Sequence, residues 1–271
     1  MAIITLSRGT FAGCSAVAAL LAKRLGYPSL SREEAAAEVT RDYGISAKEL
    51  KKYLDGKPSF LQQVPGKRLA YVKCVTAVML SHMTDGNLIY HGHVGHLLFS
   101  DIAEVLRVRV IADMKYRIRA LMENENLSRD EAIAYIEQVD TDRRRWVRLL
   151  YGVEWTDPTQ YDLILNVGSL GEENICETIA YMAGQKDSQS TAESEKRLRD
   201  FSLSCKVWAA LAKTPETRGV GIQVSADDGA VTIDGTASSV KAEEMIPQIV
   251  ESVDGVSSVK CAVGVGRDWY W

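Results

Sequence analysis

The chain has 271 residues, 46% hydrophobic and 25% charged, with a formal net charge of −4 and a pI near 5.7. That length suggests about two domains at roughly 100–200 residues each, and the mild acidity argues against general or specific nucleic-acid binding. No apolar run approaches the roughly 18 residues of a membrane span, and the five cysteines (Cys14, Cys74, Cys176, Cys205, Cys261) are scattered without a Cys-x-x-Cys pair, as free thiols would be.

Ile3-Ile4-Thr5-Leu6 is a short β-branched run. Ser7-Arg8-Gly9-Thr10-Phe11-Ala12-Gly13-Cys14-Ser15 leads from it into an alanine- and leucine-rich helix over Ala16 to Leu25. Strand, tight loop and helix is the setting in which backbone amides and a helix N-terminus converge on phosphate oxygens. The template G-x-x-x-x-G-K-[ST] is met only at its end. Gly13 and Ser15 fit, whereas Arg8 stands at the first glycine and Cys14 at the lysine. The candidate phosphate loop is therefore Arg8, Gly9, Thr10, Phe11, Ala12, Gly13, Cys14 and Ser15, with Ser15 suited to a metal ion and Arg8 the nearest substitute for the missing cation. The plain alternative is an ordinary strand-to-helix turn.

A polar helical stretch follows over about Arg32 to His82, broken near Gly44, Pro58 and Pro65. Asn87 to Tyr90 reads as a second strand. After it, His91-Gly92-His93-Val94-Gly95-His96 holds three of the four histidines. No Cys, Asp or Glu neighbours them at ligand spacing, which argues against a metal. Their place at the carboxyl edge of a strand, where open α/β sheets bind ligands, makes His91, Gly92 and His93 candidate contacts to a substrate phosphate or base. Surface histidines at a helix-starting turn are the competing reading.

Val105 to Ala112 is a third strand. Two helices are predicted next, over Lys115 to Glu125 and from a cap at Ser128 with Glu131 at the capping-box position. They carry Arg117, Arg119, Arg143, Arg144, Arg145 and Arg148, accompanied by Trp146, Tyr151 and Trp155 as stacking or anchoring candidates. An arginine triplet is commonly a solvated helix face; beside a phosphate site it would instead neutralise charge on a transferred phosphoryl group. Tyr161 to Asn166 is a fourth strand and Glu172 to Met182 a closing helix. Apolar strands spaced by helices imply an α/β parallel sheet covered on both faces.

Gln185 to Glu193 is polar and aperiodic, a linker by composition. Beyond it the pattern changes. A helix over Ser194 to Lys213 precedes two alternating strands, Gly221 to Ser225 and Ala230 to Asp234, around the hairpin signal Asp227-Asp228-Gly229. A helix from Ser238 to about Ser252 contains Pro247, which should kink or break it. Gly255 is expected to end that helix, and Val256 to Val265 is a last strand. This αββαβ unit is a small α+β domain. The expected division is 1–183, a linker over 184–193, and 194–271. The absence of a charged-then-apolar leader points to the cytoplasm, and the terminal Trp269-Tyr270-Trp271 is a candidate docking element.

Taken together, residues 1–183 resemble the cytidylate kinase-like family, a branch of the P-loop nucleoside monophosphate kinases. The segments that carry this are Ile4-Thr5-Leu6-Ser7-Arg8 with Gly13, Lys23 to Pro28 running into Ser31-Arg32-Glu33, Tyr90 to His93 with Gly95 to Leu98, and Leu106 to Ala112. Leu127 to Ala132, Val139-Asp140 with Arg143, and Asp157-Pro158 with Tyr161-Asp162-Leu163 complete them. The resemblance implies a P-loop kinase-like fold, ATP with Mg²⁺ in the loop, and a nucleoside monophosphate or other small acceptor. It also implies catalytic lid roles for Arg117, Arg143, Arg144 and Arg145. The chain departs from the family at Cys14, where a lysine is kept, and at Ser31, where an aspartate is common. Residues 194–265 resemble a BON domain through Lys206 to Leu211, Val231 to Gly235 and Val253 to Val256 with Val259. That implies a phospholipid, small-ligand or protein partner, or self-association into a homo-oligomer. Two functions follow: a phosphotransferase, or a nucleotide-binding sensor without turnover coupled to the BON-like domain.

Overall fold

The computed structural model describes residues 2–10, 12–54, 65–83, 85–92, 94–99, 102, 105–187, 191–218 and 220–266. Phe11, Pro58, His93 and Trp269-Tyr270-Trp271, all singled out above, lie outside the described residues. By their contacts the described residues form two units: residues within 1–34 and 82–190, and residues within 35–81 and from 191 onward. This differs from a boundary drawn along the sequence, because residues 35–81 group with the C-terminal part of the chain.

The first unit is built on β1 (Ile3–Arg8), β2 (Ser29–Ser31), β3 (Leu88–Gly92), β4 (Val105–Ile111) and β5 (Leu163–Asn166), all parallel, in the order β2-β3-β1-β4-β5. β1 is central, pairing Ile4 with both Ile89 and Leu106 and Leu6 with both His91 and Val108. Its Ile4 and Leu6 join a core with helix α1 (Cys14–Leu25), which buries Cys14, Val17, Ala18 and Leu21, the i, i+3, i+4, i+7 face of an amphipathic helix. Ile175, Ile179 and Ala183 of a later helix, Glu172–Asp187, complete that core. Each such large aliphatic side chain, fully buried, contributes about 2 kcal/mol. β2 escapes sequence reading because it is three residues long and buries only Leu30. It runs into α2 (Arg32–Tyr43), where Ser31 and Glu34 exchange capping hydrogen bonds, so the serine at the expected aspartate position is a helix cap.

The opposite face turns polar toward the strand ends: Thr5 sits level with Tyr90 and Arg107, and Ser7 with Gly92 and Arg109. The helical arm between β4 and β5 consists of two helices, Met114–Glu125 and Arg129–Tyr151, joined by a small apolar cluster of Ile118, Leu121, Ala132 and Ile136. The expected capping box of Ser128 and Glu131 is present.

In the second unit, α3 (Ala47–Leu54) and α4 (Pro65–Ser81) follow the remainder of α2, and α4 packs on a long C-terminal helix, Ala192–Lys213. Pro65 opens α4, where its missing N–H costs nothing. Lys73 lies 4.8 Å over the Phe201 ring, and Tyr71 donates to Glu49 Oε1 at 2.5 Å. A three-stranded sheet of Gly221–Asp227, Ala230–Ala237 and Ser258–Val265 has its first pair antiparallel and its second parallel. The helix Val240–Glu251 runs through Pro247 unbroken, and it ends at Ser252 rather than Gly255, whose positive φ serves the turn into the last strand. The linker is also shorter than its composition suggests: helices reach Asp187 on one side and begin at Ala192 on the other.

Candidate functional site

Gly13 holds φ +69 at the N-cap of α1 and supplies no side-chain cap, so the first-turn amides meet no capping oxygen from that residue. A Cβ at Gly13 would lie 3.1 Å from the Tyr116 hydroxyl, which adds crowding to the conformational need for glycine. Over this turn opens a cavity of about 610 Å³, lined by the loop and, from the surrounding helices, by Glu33, Tyr116, Tyr135, Arg143 and Glu172.

Cys14 does not put a functional group into that cavity. Its side chain is buried in the core, with Sγ donating toward Leu6 O at 3.8 Å, and burial pushes its pKa up to about 12. Neither a cation nor a reactive thiolate occupies the lysine position.

Arg8 is the nearest charge. Its Nη1 donates to Ser15 Oγ at 3.1 Å and its Nη2 to Glu33 Oε1 at 3.3 Å, so one guanidinium ties the end of β1 to the first turn of α1 and to α2. Mg²⁺, which the family resemblance implies, meets a donor set that does not fit it. Ser15 already accepts a hydrogen bond from Arg8, so a divalent ion at the same hydroxyl would stand beside a like charge. Among the described residues no group of three His, Cys, Asp or Glu side chains could hold a metal.

Behind the loop a second network forms. Thr10 Oγ1 donates to Asp140 Oδ1 at 2.8 Å and accepts from Arg143 Nη1 at 3.0 Å. Arg117 donates through Nε to Thr10 O at 2.7 Å and through Nη2 to Asp140 Oδ2 at 2.6 Å. Arg117 is thus a tether of the loop, mostly buried and outside the cavity lining, whereas Arg143 lines the cavity. Arg144 and Arg145 do not join them. Successive helical residues point about 100° apart; Arg144 Nε lies 3.9 Å from Glu154 Oε1, and both side chains are exposed. Asp140, three residues before Arg143 on the same helix face, and Glu33 bond to residues of this loop, and the sequence pattern gives them no role beyond their place in the segments of the family resemblance.

His91 and His96, the two of these histidines among the described residues, do not share one environment. His91 is half-buried on β3 with Nδ1 lacking a hydrogen-bond partner among the described residues, and burial, then the Arg8 charge, lowers its pKa. At Gly92 a Cβ would come within 2.8 Å of Arg32 Cβ and the Tyr90 hydroxyl, so close packing requires the glycine. His96 is buried against Tyr161, ring centroids 4.6 Å apart, and burial followed by Arg107 and Arg109 pulls its pKa down to about 3. Trp146 and Trp155 are buried too: Trp155 lies under the Arg109 guanidinium at 4.7 Å and its carbonyl accepts from the Tyr161 hydroxyl at 2.7 Å. They pack the fold and offer no stacking surface in the cavity.

Comparison with known proteins agrees with this architecture. A cytidylate kinase of Sulfurisphaera tokodaii is 25% identical over 181 residues, covering 66% of this chain and 94% of that enzyme. One of Ignicoccus hospitalis is 24% identical over 184 residues, covering 67% and 99%. An uncharacterised protein from Eubacterium ventriosum, 18% identical, superposes with a TM-score of 0.51 over 68% of this chain and 99% of its own, which shows a shared fold. Residues 199–267 match the BON domain. Residues 3–169, more than half of the chain, match the cytidylate kinase-like family, to which this protein therefore belongs.

Proposed function

We propose that the first unit binds the polyphosphate of an ATP-type nucleotide over residues 8–15, and that it passes a phosphoryl group to a nucleoside monophosphate or another small acceptor. One observation carries the reading: the cavity opens where β1 meets α1, and two arginines, Arg8 and Arg143, line it beside a helix N-terminus whose capping residue is a glycine. In this reading the amides of Gly13, Cys14 and Ser15 hold non-bridging oxygens, and Arg8 and Arg143 supply opposing charge. Arg117 acts through Thr10, keeping the loop in shape, and His91 and Gly92 border the acceptor. The C-terminal unit would take a phospholipid, a small ligand or a protein, or pair with a second copy.

A second reading, nucleotide binding without turnover, is favoured by the inward thiol of Cys14, which leaves the lysine position without charge. Restoring a lysine there is a poor test, because the position faces the core. The test is calorimetry of ATP on the full chain and on Arg143→Ala, with ATP consumption assayed over a panel of nucleoside monophosphates. Binding weakened about tenfold or more in the variant, as expected for a charge-assisted contact, together with turnover on one acceptor supports transfer. Binding without turnover leaves the sensor reading; no binding defeats both.

A further inference from the structure

We infer that the guanidinium of Arg8 is itself the cation of this phosphate site, so that a nucleotide polyphosphate binds here without a divalent metal. The inference rests on the proposed nucleotide site and specifies how its charge is balanced. Three observations converge on it. The side chain at the lysine position is turned into the core toward Leu6 O. The hydroxyl that would face a metal accepts a hydrogen bond from Arg8 instead. The same guanidinium reaches Glu33, so a positive group already stands between a hydroxyl and a carboxylate, as a divalent ion would.

Arg8 is well placed to exchange partners. Its side chain is 24% exposed, partly shielded from water, while that of Glu33 is 67% exposed. An ion pair with one member so open to solvent holds weakly, whereas a phosphate can take two parallel N–H bonds from a guanidinium. Polyphosphate would displace the Glu33 carboxylate and leave Arg8 anchored on Ser15. Glu33 then acts as a competitor for Arg8, and the charge on that carboxylate sets the affinity.

The experiment is calorimetry of ATP on the full chain in EDTA and again in excess Mg²⁺, with circular dichroism confirming that each variant is folded. The dissociation constants in the two buffers should agree within about threefold, Arg8→Ala should weaken metal-free binding about thirtyfold or more, and Arg8→Lys should fall between. Glu33→Gln should tighten metal-free binding about threefold by removing the competitor. This variant keeps the test decisive should Arg8→Ala fail to fold. Binding in Mg²⁺ that vanishes in EDTA overturns the inference and leaves the nucleotide site standing. Metal-free binding indifferent to Arg8→Ala, or weakened by Glu33→Gln, overturns it as well. Absence of binding in both buffers removes the proposed site and this inference with it.

Discussion

The turn after β1 and the turn between Gly221–Asp227 and Ala230–Ala237 are both short, glycine-bearing reversals at the end of a strand, yet they are built on opposite terms. In the hairpin every local demand has a matching residue. Asp228 and Gly229 take the two positive φ values, 45° and 87°, of a two-residue turn, and the ladder closes with Asp227 opposite Ala230. Even the charges are settled, since Lys196 reaches the carboxylates of Asp200, Asp227 and Asp228. The loop after β1 satisfies its backbone with Gly13 but leaves the start of α1 without a side-chain cap and holds an arginine between Ser15 and Glu33. Consistency across levels is what folding alone asks of a segment, and a local departure from it is what a functional or strained site shows.

The hairpin sheet should therefore be intolerant where its backbones touch. Gly235 has φ +134, and a Cβ there would meet the Gly221 carbonyl and stand 2.8 Å from Ile222 Cα. Neither neighbour is a side chain that can swing away. Gly235→Ala should cost about 4 kcal/mol, read from the urea transition followed by far-ultraviolet circular dichroism. A loss below about 1 kcal/mol would mean that the two strands do not approach this closely. The loop should respond next most strongly at its tether. Asp140→Ala leaves Arg117, 12% exposed, without its carboxylate and should cost about 3 kcal/mol. Replacing both partners, in Asp140→Ala with Arg117→Met, should recover part of that loss in the same unfolding assay. An additive double variant would show that the two residues are not coupled.

Legibility in the sequence follows the same divide. The αββαβ unit is readable because its signals are local: period-two strands and Asp-Gly at the turn. The capping box at Ser128 and the central strands are readable for the same reason. What escapes is set by tertiary geometry. Three adjacent arginines look alike in sequence, but helical rotation sends Arg143 to Thr10 and Arg144 toward Glu154. Cys14 reads as a gap in a cation's place; only packing reveals that its side chain belongs to the core. Glu33, visible in sequence only within the Ser31-Arg32-Glu33 segment and given no role there, meets Arg8 because β2, three residues long, brings the start of α2 beside the loop.

The polar face of the sheet carries the smallest of these effects and the one most specific to its chemistry. His96 is 2% exposed, and its two ring nitrogens have no hydrogen-bond partner among the described residues. Burial first, then the nearby charges of Arg107 and Arg109, lowers its pKa from about 6.5 to about 3. As pH falls through 6.5 the unfolded chain takes up a proton that the folded chain refuses until about pH 3, so stability is intact above 6.5 and declines below it. By pH 5 the loss should be about 2 kcal/mol, and His91, shifted in the same direction, adds to it. Urea unfolding at pH 7.5 and pH 5.0 measures the difference. His96→Phe, which keeps a ring against Tyr161 and cannot titrate, should remove most of the decline. Equal declines in the variant and the parent would place the titrating group elsewhere, and the buried histidine would then be a packing residue with no hold on stability.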